Sequence, residues 1–211
     1  MEQLQGSRVV IRPWQRFDDD LANEWPPYND PLDSLWNLPR QTSLTESWST
    51  FFDSGQRRSW AVEDRSGNLI GRISLREHDP RRRQARLGIT FGAPYVGRGL
   101  GTEALALFLD YYFTDAGYAV MVLDVAAPNE RAVRCYRRLG FSYVDSDWRE
   151  VGFSFDRRVL DMPPYEHLQR FFRPTARGLA VEFYEMRLTR EEWFQRRREL
   201  SLPAANGTPG A

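Results

Sequence analysis

The chain has 211 residues, enough for one well-packed domain or two small ones, and with 41% hydrophobic and 14% aromatic residues it can bury a sizeable core. Lysine plus arginine balances aspartate plus glutamate at 29 each, which excludes a global field drawing the chain to nucleic acid, a membrane surface or an acidic partner. One cysteine, Cys135, excludes an internal disulfide framework and fits a reducing compartment, and the two histidines, His78 and His167, are too few beside it for a zinc site.

In chain order, "MEQLQGSRVVIRPW" lacks the apolar core of a signal peptide, and "SRVVIRPW" reads as a first strand. "RFDDDLANEWPPYND" opens acid-rich, as a helix start prefers, and stops at Pro26 and Pro27; a loop or short helical region follows to about Phe52. Two short apolar runs around "DRSGN" form a hairpin, and a second hairpin turns through "EHDPRRRQ" into "ARLGITFG". "GAPYVGRGLGTEALALFLDYYF" then passes from a glycine-rich turn into a helix whose apolar run, Leu105 to Phe113, is broken by Asp110 and is too short to cross a membrane. The expected location is the cytoplasm.

"YAVMVLDVAA" reads as a buried strand, and "PNERAVRCYRRLGF" as a helix with Pro128 in its first turn and Gly140 as its stop. Two more strands, "SYVDSDWREVGFSF" and "GLAVEFYEMRL", flank a long aromatic-rich connection at 156–178. "TREEWFQRRREL" carries a capping box, and 201–211 reads as a disordered tail. The expectation is a single domain over 1–200, with 156–178 as an insertion that covers an acceptor pocket or joins a second subunit.

The glycine turn explains itself chemically. A helix start offers unpaired N–H groups and partial positive charge, and a bare approach lets the backbone wrap a phosphate. The P-loop pattern fails because no Lys-Ser or Lys-Thr follows Gly101, and the dinucleotide fingerprint fails because Thr102 stands where its last glycine belongs.

In "VLDVAAPNERAVRCYRRLGF" an asparagine follows the strand, then an alanine, then a tyrosine at helical spacing, and Gly-Phe closes the segment. Together the two motifs resemble the GNAT superfamily of acyl-CoA-dependent N-acetyltransferases, over roughly Arg8 to Leu188 by order of elements. The resemblance implies an α/β (α+β) fold: a twisted, mostly antiparallel sheet of about seven strands with helices on both faces, splayed where acetyl-CoA enters. It implies that Thr90, Phe91 and Gly92 end the strand that pairs with pantetheine. Val96, Gly97, Arg98, Gly99, Leu100, Gly101 and Thr102 then form the pyrophosphate turn. Asn129 matches the asparagine near the pantetheine arm and Tyr136 the tyrosine near the thioester sulfur.

Two departures stand out. Val96 replaces the usual Arg or Gln at the head of the turn, leaving Arg98 to supply charge. "ARLGI" carries Arg86 where many relatives have Glu. The layout looks most like the branch that acetylates ribosomal-protein N-termini.

The chemistry implied is direct transfer of an acetyl group to a primary amine, with Tyr136 protonating the departing sulfur and Asp124, at a strand end, as candidate base. Acetyl-CoA is the donor and no metal is expected. A protein or peptide α-amine is the first expectation for the acceptor. A polyamine, aminoglycoside or amino acid is the alternative, a non-catalytic acyl-CoA-binding domain is another, and a homodimer is allowed.

Overall fold

The computed structural model describes residues 3–40, 57–152 and 155–200. The expected helical or loop stretch up to Phe52 therefore falls partly, and the tail at 201–211 wholly, outside the described residues. Among the described residues nine strands form one sheet: β1 (Leu4–Gln5), β2 (Val9–Pro13), β3 (Arg58–Asp64), β4 (Leu69–Asp79), β5 (Gln84–Phe91), β6 (Val120–Ala126), β7 (Ser142–Glu150), β8 (Phe172–Thr175) and β9 (Gly178–Thr189). The order is β1-β2-β3-β4-β5-β6-β9-β7, with β8 paired to β9. Only β5 and β6 run parallel. The two strands beyond the expected seven are the short β1 and β8, the latter inside the insertion and carrying Pro174, which only an edge strand tolerates.

Local chemistry sets the turns. In the β3–β4 hairpin Asp64 Oδ1 accepts from the N–H groups of Ser66 and Asn68 at 2.8 and 3.0 Å, with Gly67 left-handed at φ 81°. In the next hairpin Asp79 Oδ1 accepts from Arg81 and Arg82, each at 3.0 Å. The α-helices among the described residues are α1 (Phe17–Asn23), α2 (Leu100–Phe113), α3 (Glu130–Arg138) and α4 (Arg190–Glu199). Thr189 and Glu192 form the capping box expected of "TREEW".

Strand alternation sorts the sheet into two faces. Ile73, Leu75, Ala85, Leu87, Met121, Leu123, Met186 and Leu188 pack under α2, α3 and α4, where Phe108, Tyr112, Val133 and Trp193 are buried. The opposite face carries Arg72, Ser74 and Arg76 on β4, Arg86, Gly88 and Thr90 on β5, and Asp124 on β6, aligned by the pairs Arg72↔Thr90, Ser74↔Gly88 and Arg76↔Arg86. On that face α1 lies near β4, and Trp14, just before it, stacks on the Arg72 guanidinium at 4.4 Å.

The parallel pair stops early. Its last paired residues are Leu87 and Leu123, and beyond them β5 and β6 diverge. The closed end is stitched by Tyr112, whose hydroxyl accepts from Ala85 N–H at 2.9 Å and donates to the Val120 carbonyl at 2.7 Å. Gly88 to Thr90 thus offers a backbone edge that β6 leaves unpaired to an incoming extended ligand, and the Tyr28 hydroxyl donates to the Phe91 carbonyl at its end.

Candidate active site

A cleft of about 1120 Å³ opens at this divergence. That exceeds the roughly 300–1,000 Å³ of single small-molecule pockets, so donor and acceptor can share it. Of the residues expected from sequence, Thr90, Phe91, Val96, Gly97, Gly99, Gly101, Thr102, Asp124, Asn129 and Tyr136 line it, whereas Gly92, Arg98 and Leu100 do not.

The cradle is built as the glycines imply. Gly97 and Gly99 sit at φ 77° and 79°, a left-handed geometry that strains any side-chain-bearing residue. Gly99 is the N-cap of α2, so the first amides of that helix have no partner within it. The turn is tied to β2: Glu103 in the first turn of α2 accepts from the Arg8 backbone N–H at 2.6 Å and Arg8 Nε at 2.8 Å, while Arg8 Nη1 donates to the Arg98 carbonyl at 3.1 Å. Burial raises the Glu103 pKa, but the Arg8 and Ser7 donors outweigh it and hold the carboxyl below its ordinary value. Gly92 serves packing instead, since a Cβ there would meet the Trp25 ring at 3.0 Å.

Arginines other than Arg98 face the cleft. Arg98 is exposed and off the cleft wall. Arg131, Arg134 and Arg138, on one face of α3, line the cleft in its place. Asn129 caps α3, its Oδ1 accepting from Ala132 N–H at 3.2 Å. Tyr136, one turn from the end of that helix, is 9% exposed and stacks edge-on to Phe141. Burial pushes its phenol above the ordinary value, Cys135 adds to the rise and Arg131 opposes it. Burial also pushes the Cys135 thiol up, so it stays protonated beside Thr102 at 3.2 Å.

Sequence offered Asp124 as a candidate base; the structure places it at the centre of an ion-pair network. Its side chain is 4% exposed. Arg86 Nη1 lies 2.6 Å from Oδ1, Arg149 Nη2 3.3 Å from Oδ2, and Arg76 Nη2 3.7 Å from Oδ2. Arg86 also reaches Glu77 at 2.6 Å and Glu185 at 2.9 Å. Arg149 stacks on Phe183 at 3.8 Å and donates to the Leu38 carbonyl at 2.8 Å.

Known proteins give this geometry a family. The acetyltransferase (GNAT) domain profile matches residues 8–142. The chain belongs to the GNAT acetyltransferase family. It is an N-acetyltransferase with acetyl-CoA as donor, which fits the cradle and the arginine row of α3. Over 136 residues it is 37% identical to the spermidine N(1)-acetyltransferase of Escherichia coli K12, an overlap covering 64% of this chain and 73% of that one. The Vibrio cholerae spermidine N(1)-acetyltransferase is 32% identical over 137 residues, covering 64% and 76%. A crystal structure of the Vibrio cholerae spermidine N-acetyltransferase with CoA and spermine superposes with a TM-score of 0.63 at 20% identity, over 89% of this chain and 99% of that one. The expected likeness to the ribosomal-protein N-terminal branch is thereby corrected, because these relatives are polyamine enzymes.

On this GNAT scaffold, a second part of the cleft was missed by sequence. Tyr28, Asp33, Trp36 and Arg40 come from the 24–40 segment, Arg57 precedes β3, and Arg72, Ser74 and Arg76 stand on β4. The insertion braces this wall: Leu160, Leu168 and Phe171 bury against Leu32 and Leu35 in a separate apolar cluster. Among the described residues, no helix is long and apolar enough to span a membrane and no cluster has the ligands for a metal.

Proposed function

We propose that this GNAT chain acetylates the primary amine of a small molecule. The observation that carries this reading is the acceptor wall: the 24–40 segment, buttressed by the 3-10 turns Arg157–Asp161 and Glu166–Phe171, encloses the space beside the splayed strands. The relatives' acceptor, spermidine, supports a small amine over a protein terminus.

Acetyl-CoA supplies an activated thioester, and the chain's residues do the rest. The glycine turn and the α3 arginines hold phosphates, and the open edge of β5 aligns the pantetheine arm. As the amine nitrogen bonds the acetyl carbon and the carbon–sulfur bond opens, Tyr136 Oη donates a proton to the sulfur, and the surplus amine proton leaves through solvent, which restores the phenol. Asp124 acts as the anchor of Arg86, Arg149 and Arg76, not as the base: Arg86 donates to Oδ1 at 2.6 Å, and Oδ2, which accepts no hydrogen bond, faces the Arg149 and Arg76 guanidinium groups at 3.3 and 3.7 Å. With no free carboxylate at that point, neutral amine is favoured electrostatically: like charge nearby disfavours an ammonium ion.

The test is thiol release from acetyl-CoA with spermidine, other small amines and a set of peptides. Small amines turned over well above peptides support the reading. Peptide turnover at equal or higher kcat/KM refutes it.

A further inference from the structure

The acceptor side of the cleft is cationic. Among the described residues the whole cleft is lined by eight arginines and two aspartates. Arg131, Arg134 and Arg138 belong to the donor end, which leaves Arg40, Arg57, Arg72, Arg76 and Arg149 for the acceptor end. Of the two acids, Asp124 is already held by arginine, and Asp33 has no guanidinium partner among the described residues; behind the wall, Arg40 lies 3.3 Å from Glu185 and Arg149 3.1 Å from Asp147, which leaves Arg57, Arg72 and Arg76 the least neutralised.

Three of these arginines surround one point. Ser74 is flanked on the same sheet face by Arg72 and Arg76, two residues to either side. Arg57 Nη2 approaches Ser74 Oγ at 3.4 Å and has no acidic partner among the described residues. Opposite Ser74 stands Gly88, the first residue beyond the last β5–β6 pair; a Cβ there would come within 2.6 Å of Ser74 Oγ. The cluster therefore opens at the apex of the splay.

Among the described residues, the acids near these guanidinium groups stand no closer than 3.7 Å: Asp124 and Glu77 beside Arg76, and Asp19 beside Arg72. Burial lowers the Arg57 pKa and Arg72 adds to the fall. Burial likewise lowers the Arg76 pKa, with Glu77 and Asp124 opposing the fall and Arg86 and Arg149 adding to it. Arg72 is partly engaged, with Asp19 at 3.7 Å and Ser59 Oγ at 3.0 Å. The sequence contains no lysine, so every one of its basic side chains is an arginine, whose planar fork matches carboxylate and phosphate.

We infer that the acceptor is a small primary amine that also carries an oxyanion, a carboxylate or phosphate, held by Arg57, Arg72 and Arg76 beside the splay. This rests on the small-amine reading above and separates the chain from its polyamine-acetylating relatives. A polyamine would have to place its unreacted ammonium groups among these guanidinium groups, whereas an amine with an oxyanion neutralises them and brings its nitrogen to the thioester.

The experiment compares kcat/KM for spermidine with that for the α-amino acids and for amino sugar phosphates, the two arms distinguishing carboxylate from phosphate. The expected result is at least a tenfold preference for an oxyanion-bearing amine. Arg57→Gln and Arg76→Gln should each raise its KM about tenfold while acetyl-CoA still raises the Tm normally, which controls for folding. Spermidine as the better substrate overturns the inference and leaves small-amine transfer standing, as does an oxyanion-bearing acceptor whose KM ignores both substitutions. Failure of every small amine overturns both readings together.

Discussion

At the scale of single residues, Tyr136 and Asp124 look alike in sequence, each a polar side chain at a motif position, yet their surroundings give them different work. Burial raises the Tyr136 phenol, so it remains a proton donor across the neutral range. General acids contribute about 10²–10⁴ in rate, so Tyr136→Phe should lower kcat by at least about 100-fold with acetyl-CoA affinity unchanged. The parent should show no alkaline loss of kcat from this group up to about pH 10, the ordinary tyrosine value. A full-rate Phe variant would remove the assignment. Asp124→Asn leaves Arg86 and Arg149 buried without their shared counter-charge, a change that costs roughly 3–5 kcal/mol when one partner of a buried pair is lost. The expected readout is a large fall in Tm at every pH near neutrality. An unchanged Tm with activity restored at high pH would return Asp124 to the role of base. Sequence found both positions because they sit on local motifs, but the three arginines that close on Asp124 come from Arg76, Arg86 and Arg149, on different strands. No local pattern announces their meeting.

Among the elements, those legible in sequence carry their determinants locally. Gly97 and Gly99 are glycines because the turn needs positive φ, and "DRSGN" and "TREEW" state their own hydrogen bonds. Gly99→Ala should therefore cost about 1–2 kcal/mol through left-handed strain and set a Cβ 3.3 Å from the Arg8 guanidinium, weakening acetyl-CoA binding measurably by titration calorimetry. Glu103, which pins the turn to β2, adds a pH signature. Its folded pKa is depressed, so its stabilisation is fully present above the unfolded value of about 4.3 and is lost as pH falls through the folded value. Glu103→Gln should lower the Tm at pH 7, and the gap to the parent should close as pH drops below about 4. A gap that is constant with pH would mean the carboxylate charge contributes nothing. The insertion is the opposite case: its length and aromatic content were visible, but only packing shows Phe171 and Leu168 against Leu32 and Leu35. Phe171→Ala, removing a buried aromatic, should cost about 3–5 kcal/mol and raise the acceptor KM more than the donor KM. Equal effects on both would detach the insertion from the acceptor wall.

For the molecule as a whole, neutrality conceals a strong local field. The formal net charge is +0, which by itself predicts no steering of any ligand, yet the cleft collects arginine from both ends of the domain. The compensating acids therefore lie on the outer surface or, like Asp124, beneath the arginines. Low-dielectric walls focus such a field, and Debye screening reaches about 10 Å at 0.1 M salt. Composition was blind to this because charge was counted rather than placed; the sheet order that joins β4, β5 and β6 does the placing. It follows that association of the phosphate-rich donor is assisted electrostatically while the chemical step, inside the cleft, is not. Raising ionic strength from about 0.01 M to 0.15 M shortens the screening length from about 30 to 8 Å and should lower kcat/KM for acetyl-CoA several-fold with kcat nearly constant. Arg134→Gln, at an exposed donor-side position, should flatten that salt dependence. A salt-independent kcat/KM in the parent would show that the arginines act through contact alone and not through their field.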